Sequence, residues 1–215
     1  MSVVNELTYP LYAISRLRML TDGKGITSLV GSVGCPLSCK YCINPESWNG
    51  PEKIEYVTVE ELYERVKIDN LYFLTTGGGL TFGGGEPLLH ADFISEFVRK
   101  YGKTGWKFYV ETSLNVPLKN VKNIMKYIDA FSIDCKDMNP ERYKSYTGGD
   151  YYRFEENLKL LLKNIGPDRF RVRVPYIEGY NTREQQHENA NKLREMGVTN
   201  IQLFDYVIRK SKEEV

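Results

Sequence analysis

The sequence lacks a long apolar run, a bulk charge of one sign and a secretory signal. No run approaches the roughly 18–20 apolar residues that span a bilayer, and residues 1–6 carry neither a basic nor an apolar targeting region. With 29 basic and 28 acidic residues the net charge is +1, so no bulk attraction to nucleic acid or to a membrane arises. We therefore expect neither partner.

Linkers, low-complexity segments and internal repeats are also missing from the 215 residues. A chain of this length forms one domain with a sizeable core. We predict a single domain over residues 1–215, with an N-terminal extension over residues 1–26 and a C-terminal tail over residues 205–215.

Cysteine is rare outside one stretch, because three of the four cysteines are Cys35, Cys39 and Cys42, spaced C-x3-C-x2-C. Thiols this close strain a disulfide, and thiolates select iron–sulfur clusters or zinc. Three ligands would leave one iron of a [4Fe–4S] cluster open. Zinc is the main rival, but it requires a fourth ligand, and Cys135 is the only other cysteine. A reduced cysteine cluster favours a cytoplasmic location.

The hydrophobic pattern predicts six strands that alternate with helices. The strands are expected at residues 26–33, 80–82, 107–111, 130–134, 169–175 and 200–204. A capping box at Thr58 begins the first helix, with Leu62, Val66 and Leu71 at helical spacing. Alternation of this kind implies a parallel sheet, and a closed eight-fold barrel typically takes about 250 residues. We predict an α/β fold, an open partial (β/α)6 TIM-like barrel.

Polar residues follow five successive predicted strands. They are Cys35, residues 83–86, residues 111–113, Asp134 with Lys136, and Arg173. The carboxyl ends of parallel strands are where barrels and open α/β sheets bind ligands. The residues are therefore candidates for one site.

The glycines before Glu86 have two interpretations. They form either a sharp turn or a close backbone approach to a ligand. Glu86 would repel a phosphate, so an amino group is the better ligand. Asp134 and Lys136 point to the same side of their strand, as a solvated ion pair or as part of a site, and Cys135 faces the opposite way as a buried thiol.

Two further side chains have open assignments. Glu111 and Asp134, on neighbouring strand ends, could hold a cation. Arg173 suits either a carboxylate clamp or a surface salt bridge.

At these residues the sequence resembles a known family. The stretch from Cys35 to Cys42, with Tyr41 before the third cysteine, resembles the signature of the radical S-adenosylmethionine (SAM) superfamily. Residues 77–89, 134–136, 146–148 and 173–181 are similar to glycyl-radical-enzyme activating enzymes of the pyruvate formate-lyase activase type. The similarity runs from about residue 29 to residue 204.

The resemblance implies a [4Fe–4S] cluster on Cys35, Cys39 and Cys42, with SAM on the open iron. An electron from a donor such as flavodoxin or ferredoxin would split SAM to methionine and a 5′-deoxyadenosyl radical, which abstracts a hydrogen atom from a glycine Cα of a partner enzyme. The implied cofactor-binding residues are Tyr41 (through its backbone), Gly84, Gly85, Glu86, Ser113, Asp134, Lys136 and Arg173. A monovalent cation is expected at Glu111, Thr112 and Asp134. No catalytic residue is expected beyond the cofactors.

Some positions depart from the family pattern. Ile43 stands in place of a histidine, Glu178 in place of a proline, and residues 203–207 in place of Leu-Pro-Tyr-His, where Asp205 is the candidate replacement for the histidine near SAM. The eight-cysteine insert of many activases is absent. The alternatives are a radical SAM peptide-modifying enzyme, an epimerase or cross-linking enzyme, and a non-enzymatic zinc or cluster-binding module.

Overall fold

The computed structural model describes residues 6–19 and 21–208, and the expected extension and tail fall partly outside these residues. Its centre is one eight-stranded sheet in the order β3-β1-β2-β4-β5-β6-β7-β8. The strands are β1 (Thr8–Met19), β2 (Ile26–Ser32), β3 (Glu55–Thr58), β4 (Gly79–Gly84), β5 (Lys107–Thr112), β6 (Ala130–Asp134), β7 (Phe170–Tyr176) and β8 (Ile201–Asp205).

Six of these strands, β2 and β4 to β8, pair in parallel. The helices that connect them are α1 (Val59–Val66), α2 (Asn70–Thr76), α3 (Ala91–Tyr101), α4 (Leu118–Ile124), α5 (Pro140–Thr147), α6 (Tyr151–Ile165) and α7 (Arg183–Glu195). Within residues 6–19 and 21–208 the sheet does not close, since β3 and β8 are its two edges. The predicted α/β class and open partial barrel are confirmed.

The two faces of the parallel strands differ in polarity. Residues such as Phe82, Val110 and Ile133 are fully buried under the helices. Glu111 and Arg173 alternate with these apolar positions and so point into the barrel. The barrel lumen is therefore polar, and polar side chains line it as far as the carboxyl ends of the strands.

The N-terminal extension contributes a strand that the sequence analysis missed. β1 pairs antiparallel with both β2 and β3. A bulge interrupts its register between Ser15 and Arg18, where Leu17 adopts φ 55°. The extra residue turns Arg16 and Arg18 to opposite faces, so Arg16 pairs with Asp69 before α2 and Arg18 donates to Asp22.

The segment after β3 confirms one prediction and overturns another. Thr58 and Glu61 form the predicted capping box of α1. Leu71 does not continue the apolar face, because a 3₁₀ turn at Lys67–Asp69 breaks the helical phase. Leu71 is 68% exposed, and Phe73 is the buried residue of α2.

Candidate functional site

The cysteine loop begins at Gly34, directly after β2. Gly34 adopts φ 97°, a conformation that favours glycine. The loop is held against the end of α5, because the N–H groups of Ser38 and Lys40 donate to the carbonyls of Thr147 and Tyr146 at 2.8 and 2.9 Å. Its three cysteines are free thiols.

The three loop thiols are soft donors of the kind that bind an iron–sulfur cluster or zinc. In the part of the chain that the structure describes, no three histidine, cysteine or carboxylate side chains gather closely enough to hold one metal ion. Cys135, the residue after β6, is fully buried and does not line the cavity described below. Burial raises the pKa of Cys35 to about 12, and a bound metal centre would deprotonate the thiol.

One small cavity lies beside this loop, at the carboxyl ends of the parallel strands. Its lining residues are Cys35, Leu37, Cys39, Gly84, Gly85, Glu111, Thr112, Ser113, Asp134, Lys136, Arg173 and Tyr206. The structure thus brings together most of the residues that were predicted for the site. Tyr41, Cys42 and Glu86 are the predicted residues that do not line it.

The glycine turn after β4 packs closely against the cysteine loop and also forms part of the cavity wall. The N–H groups of Gly85 and Glu86 donate to Ser32 and Gly34 carbonyls at 3.0 and 2.7 Å. A Cβ on Gly85 would lie 2.2 Å from the Gly34 carbonyl oxygen. Gly84 adopts φ 94°. The turn is sharp and its backbone forms part of the cavity wall, and its close approach to a ligand stays a prediction.

Glu86 lies behind that wall, with 1% of its surface exposed. Its carboxylate accepts hydrogen bonds from the Thr112 hydroxyl at 2.7 Å, from the Ser113 N–H and hydroxyl at 2.8 and 2.6 Å, and from the Leu88 N–H at 3.2 Å. Burial raises the pKa of Glu86, although these hydrogen bonds oppose the rise. The side chain therefore joins the ends of β4 and β5, with its charge close beneath the cavity.

The charged groups of the cavity meet at Arg173. Its Nη1 donates to Glu111 Oε1 at 2.9 Å and its Nε to Asp134 Oδ1 at 2.6 Å, while Lys136 Nζ donates to Asp134 Oδ2 at 3.1 Å. Side-chain exposure is between 12% and 24% for all four groups. Neither the solvated pair nor the surface salt bridge considered from the sequence describes this cluster, which is largely buried.

This cluster shifts the pKa values of its carboxylates in opposite directions. Burial alone would raise the pKa of Asp134, but Arg173 and Lys136 hold it well below its usual range. Burial raises the pKa of Glu111, and the ion pair with Arg173 does not offset that effect. The Glu111 and Asp134 carboxylates both accept hydrogen bonds from the Arg173 guanidinium, and the Thr112 hydroxyl donates one to Glu86. The three residues expected to bind a cation are therefore not arranged around one point.

Tyr41 lies at the centre of an aromatic cluster beside the loop. Its ring meets those of Tyr146, Tyr180 and Tyr206 edge-on, with centroids 5.6, 5.4 and 5.0 Å away. Tyr206 also lines the cavity, a position the sequence analysis did not assign.

The expectation that Asp205 replaces the family histidine near SAM is wrong. Asp205 forms a two-point ion pair with Arg183 of α7 at 2.6 and 2.7 Å on the outer face, and 67% of its side chain is exposed. Successive residues of an extended strand point to opposite faces, so Tyr206 takes the cavity side. This alternation of side chains is the feature of the sequence from which the position of Tyr206 could have been predicted.

A larger cavity, of about 530 Å³, lies at the opposite end of the barrel. Its lining includes Asp22, Lys24, Tyr109 and Arg171, near the amino ends of the strands. None of the residues predicted for the site lines it.

Among residues 6–19 and 21–208, no helix is long and apolar enough to cross a membrane.

Comparison with known proteins places these features in one family. The family model described as "Radical SAM superfamily" matches residues 29–190. The pyruvate formate-lyase-activating enzyme of Clostridium pasteurianum is 32% identical over 190 residues, covering 87% of this chain and 78% of the relative. The 4-hydroxyphenylacetate decarboxylase activating enzyme of Clostridium scatologenes is 30% identical over 234 residues, covering 81% of this chain and 74% of the relative.

Solved structures support the fold. SuiB of Streptococcus suis bound to S-adenosylmethionine matches with a TM-score of 0.64 and 15% identity, over 85% of this chain and 42% of that chain. The enzyme anSMEcpe with bound AdoMet matches with a TM-score of 0.63 and 18% identity, over 85% of this chain and 53% of that chain. The chain thus corresponds to about half of each of these larger proteins.

Proposed function

The chain belongs to the radical SAM superfamily, and within it to the glycyl-radical-enzyme activating enzymes; on that premise we propose that it installs a glycyl radical on a partner enzyme. The observation that carries the proposal is the cavity, in which side chains from successive strand ends face two of the three motif cysteines. A zinc module would leave this charged, largely buried arrangement without a role.

Cys35, Cys39 and Cys42 would hold the [4Fe–4S] cluster. When bound, the cluster and SAM supply one-electron reductive cleavage of SAM and a 5′-deoxyadenosyl radical. The chain's own residues position the two cofactors and exclude water from them. Flavodoxin or ferredoxin would be the electron donor, and the free thiols favour a reducing, cytoplasmic location.

The residues that line the cavity are complementary in charge and hydrogen bonding to the polar groups of SAM. The backbone of Gly84 and Gly85, with the Glu86 carboxylate behind it, would receive the amino group. Ser113, Lys136 and Arg173 would lie around the ribose and carboxylate, and Asp134 orients both cations. The Tyr41 backbone would contact the adenine, and the Tyr206 ring would enclose it where other activases carry histidine.

A monovalent cation at Glu111, Thr112 and Asp134 is part of the proposal. Both carboxylates already lie at the cavity, and an ion there would compete with Arg173 for them. Arg173 would then be released toward the SAM carboxylate, which a guanidinium fork suits.

The cluster assignment is tested by metal content. Under anaerobic reconstitution, Cys39→Ala should lose most of the iron and sulfide that the wild type binds. Cys135→Ala is the matched control, because this thiol is buried and does not line the cavity, and it should retain both. Equal iron in the two variants would contradict the assignment.

The partner assignment is tested by electron paramagnetic resonance. The reconstituted protein, SAM and a reductant are incubated without oxygen with a candidate glycyl radical enzyme. A glycyl radical signal on that enzyme, abolished by replacing the radical glycine with alanine, is the expected result. SAM cleavage that modifies a peptide and produces no such signal would instead support the peptide-modifying alternative.

A further inference from the structure

The cavity of about 530 Å³ at the amino ends of the strands, here called the lower cavity, has no part in the proposed function. Its walls include residues of β5, β6 and β7 and of the turn between β1 and β2. Gly23 of that turn packs so closely on the Tyr109 ring that a Cβ would lie 2.4 Å from the ring. Small-molecule sites typically measure roughly 300–1,000 Å³. The lower cavity is therefore large enough for a ligand of its own.

Arg171 of β7 places a charge in this cavity that no carboxylate pairs with. Its Nη2 donates to the Thr21 carbonyl at 2.9 Å and to the Ser132 hydroxyl at 3.1 Å, and both acceptors are neutral. Among the described residues its Nε and Nη1 have no hydrogen-bond partner, and the side chain forms no ion pair. Burial and the nearby Arg173 guanidinium both lower the pKa of Arg171, although carboxylates, chiefly Glu111, oppose this. A guanidinium partly withdrawn from water in this way is stabilised by a bound anion.

The remaining charges of the lining leave a positive excess. Asp22 is paired with Arg18, and Asp129 accepts a hydrogen bond from the Lys107 ammonium at 2.9 Å. Arg169 donates to three main-chain carbonyls between α4 and β6. In the part of the chain that the structure describes, the lining cations without an ion pair are Lys24, Arg169 and Arg171, and the one such carboxylate is Asp168.

The surroundings favour a carboxylate over a phosphate as the anion. Phosphate sites are typically built from helix N-termini or from turns of successive N–H groups, which present positive partial charges. On this side of the sheet the helices end, and α6 and α7 do so shortly before the lining residues Asp168 and Asn200. Helix C-termini and the lining carboxylates disfavour a doubly charged ligand, whereas one guanidinium suits one negative charge.

We propose that the lower cavity binds a small organic carboxylate through the Arg171 guanidinium, with Lys24 as a second positive group. The carboxylate accepts hydrogen bonds from the N–H groups of Arg171 that lack a partner, and the rest of the cavity holds its organic part. Charge-assisted bonds of this kind are roughly twice as strong as neutral ones. The site is separate from the one proposed for SAM, because Arg171 and Arg173 line different cavities. The inference does not depend on the cluster.

Binding of benzoate, a monocarboxylate, tests the proposal by isothermal titration calorimetry at constant ionic strength. The wild type should bind one benzoate. Benzamide, a neutral molecule of nearly the same shape, and inorganic phosphate should each bind at least about tenfold more weakly, since one charge-assisted hydrogen bond corresponds to a factor of that size. Excess SAM should not displace benzoate, because SAM is assigned to the other cavity.

Variants place the bound benzoate in the lower cavity. Arg171→Gln should weaken its binding at least about tenfold. Arg99→Gln is the matched control, because Arg99 is an exposed arginine of α3 that does not line the cavity, and its affinity should equal that of the wild type. Lys24→Gln removes an exposed, screened charge and should weaken binding about threefold. The ligand comparison and Lys24→Gln decide the question even where Arg171→Gln does not fold.

Equal affinity for benzamide and benzoate, tighter binding of phosphate, or displacement of benzoate by SAM would overturn the inference. So would the absence of saturable benzoate binding, or an unchanged affinity in Arg171→Gln and Lys24→Gln. Each of these outcomes leaves the proposed function intact, because none involves the cysteine loop.

Discussion

At the scale of single residues, Asp134 stabilises more than one other charged group of the site. It is the carboxylate shared by Arg173 and Lys136, and all three side chains are at least three-quarters buried. Removing one partner of such a group leaves the others desolvated and without compensation. Asp134 therefore holds the two cations in place before any ligand arrives.

Asp134→Asn should consequently destabilise the cluster-free protein by about 3 kcal/mol. The comparison is Asp205→Asn, which breaks an exposed pair with Arg183 and should cost about 1 kcal/mol or less. Urea unfolding at neutral pH measures both. Equal losses of unfolding free energy in the two variants would show that the buried charged cluster contributes no more stability than the exposed pair.

The pH dependence of this difference follows from the pKa of Asp134, which is depressed in the folded state. A depressed pKa provides stability that is present above the unfolded value, about 3.9, and is lost as the pH falls through the folded value. The stability gap between wild type and Asp134→Asn should therefore be constant from pH 7 to about pH 5 and shrink below about pH 4. Unfolding curves at successive pH values measure it, and a gap that disappears already near pH 6 would contradict the assignment.

Residue positions could be predicted from the sequence, but residue partners could not. Strand ends and alternation were enough to predict that Lys136 and Arg173 face one cavity. The orientation of Glu86 was not predictable, because it depends on the N–H and hydroxyl donors that the end of β5 brings alongside. Tyr206 was missed because the resemblance drew attention to Asp205.

At the scale of elements, the turn after β4 is held to the cysteine loop through glycine. Gly85 packs its Cα against the Gly34 carbonyl, and the backbone of the turn donates to β2 and to the loop. The spacing between the cavity wall and the cysteines is thereby set by backbone contacts, which tolerate no side chain at this position.

Gly85→Ala should therefore lower both thermal stability and the amount of cluster bound, since its Cβ cannot fit without separating turn and loop. Gly102→Ala is the matched control, because its φ is −62° and its Cβ would have ordinary contacts. Thermal unfolding and iron content measure the two variants. Normal iron binding by Gly85→Ala would contradict the packing argument.

The elements that the sequence predicted well are those whose local signals agree with their burial. The parallel strands β4 to β7 have apolar outer residues and turn residues at their ends, and α1 has its capping box. β1 was not recognised because its alternation is broken by the bulge at Leu17. A strand whose pattern changes phase midway is specified by its pairing with β2 and β3, which is a tertiary property.

At the scale of the whole molecule, the open barrel separates a covered outer face from a polar lumen that ends at the cysteines. One edge of the sheet, β8, leads directly into Tyr206 at the cavity. A ligand that bridges the cluster and several strand ends should therefore stabilise the complete fold.

SAM at about one hundred times its dissociation constant should stabilise the cluster-loaded protein by about 2.7 kcal/mol. For a domain of this size that corresponds to a rise in melting temperature of about 5–10 °C. Cys39→Ala, which should lack the cluster, should show a much smaller rise. Equal shifts in the two proteins would indicate that SAM does not bind through the open iron.

The most direct test of the account is the amount of 5′-deoxyadenosine formed from SAM by the reduced, cluster-loaded protein under anaerobic conditions. The account predicts formation that depends on the reductant, disappears in Cys39→Ala and persists in Cys135→Ala. A wild-type protein with a complete cluster that forms no 5′-deoxyadenosine, or a Cys39→Ala variant that forms as much as the wild type, would contradict it.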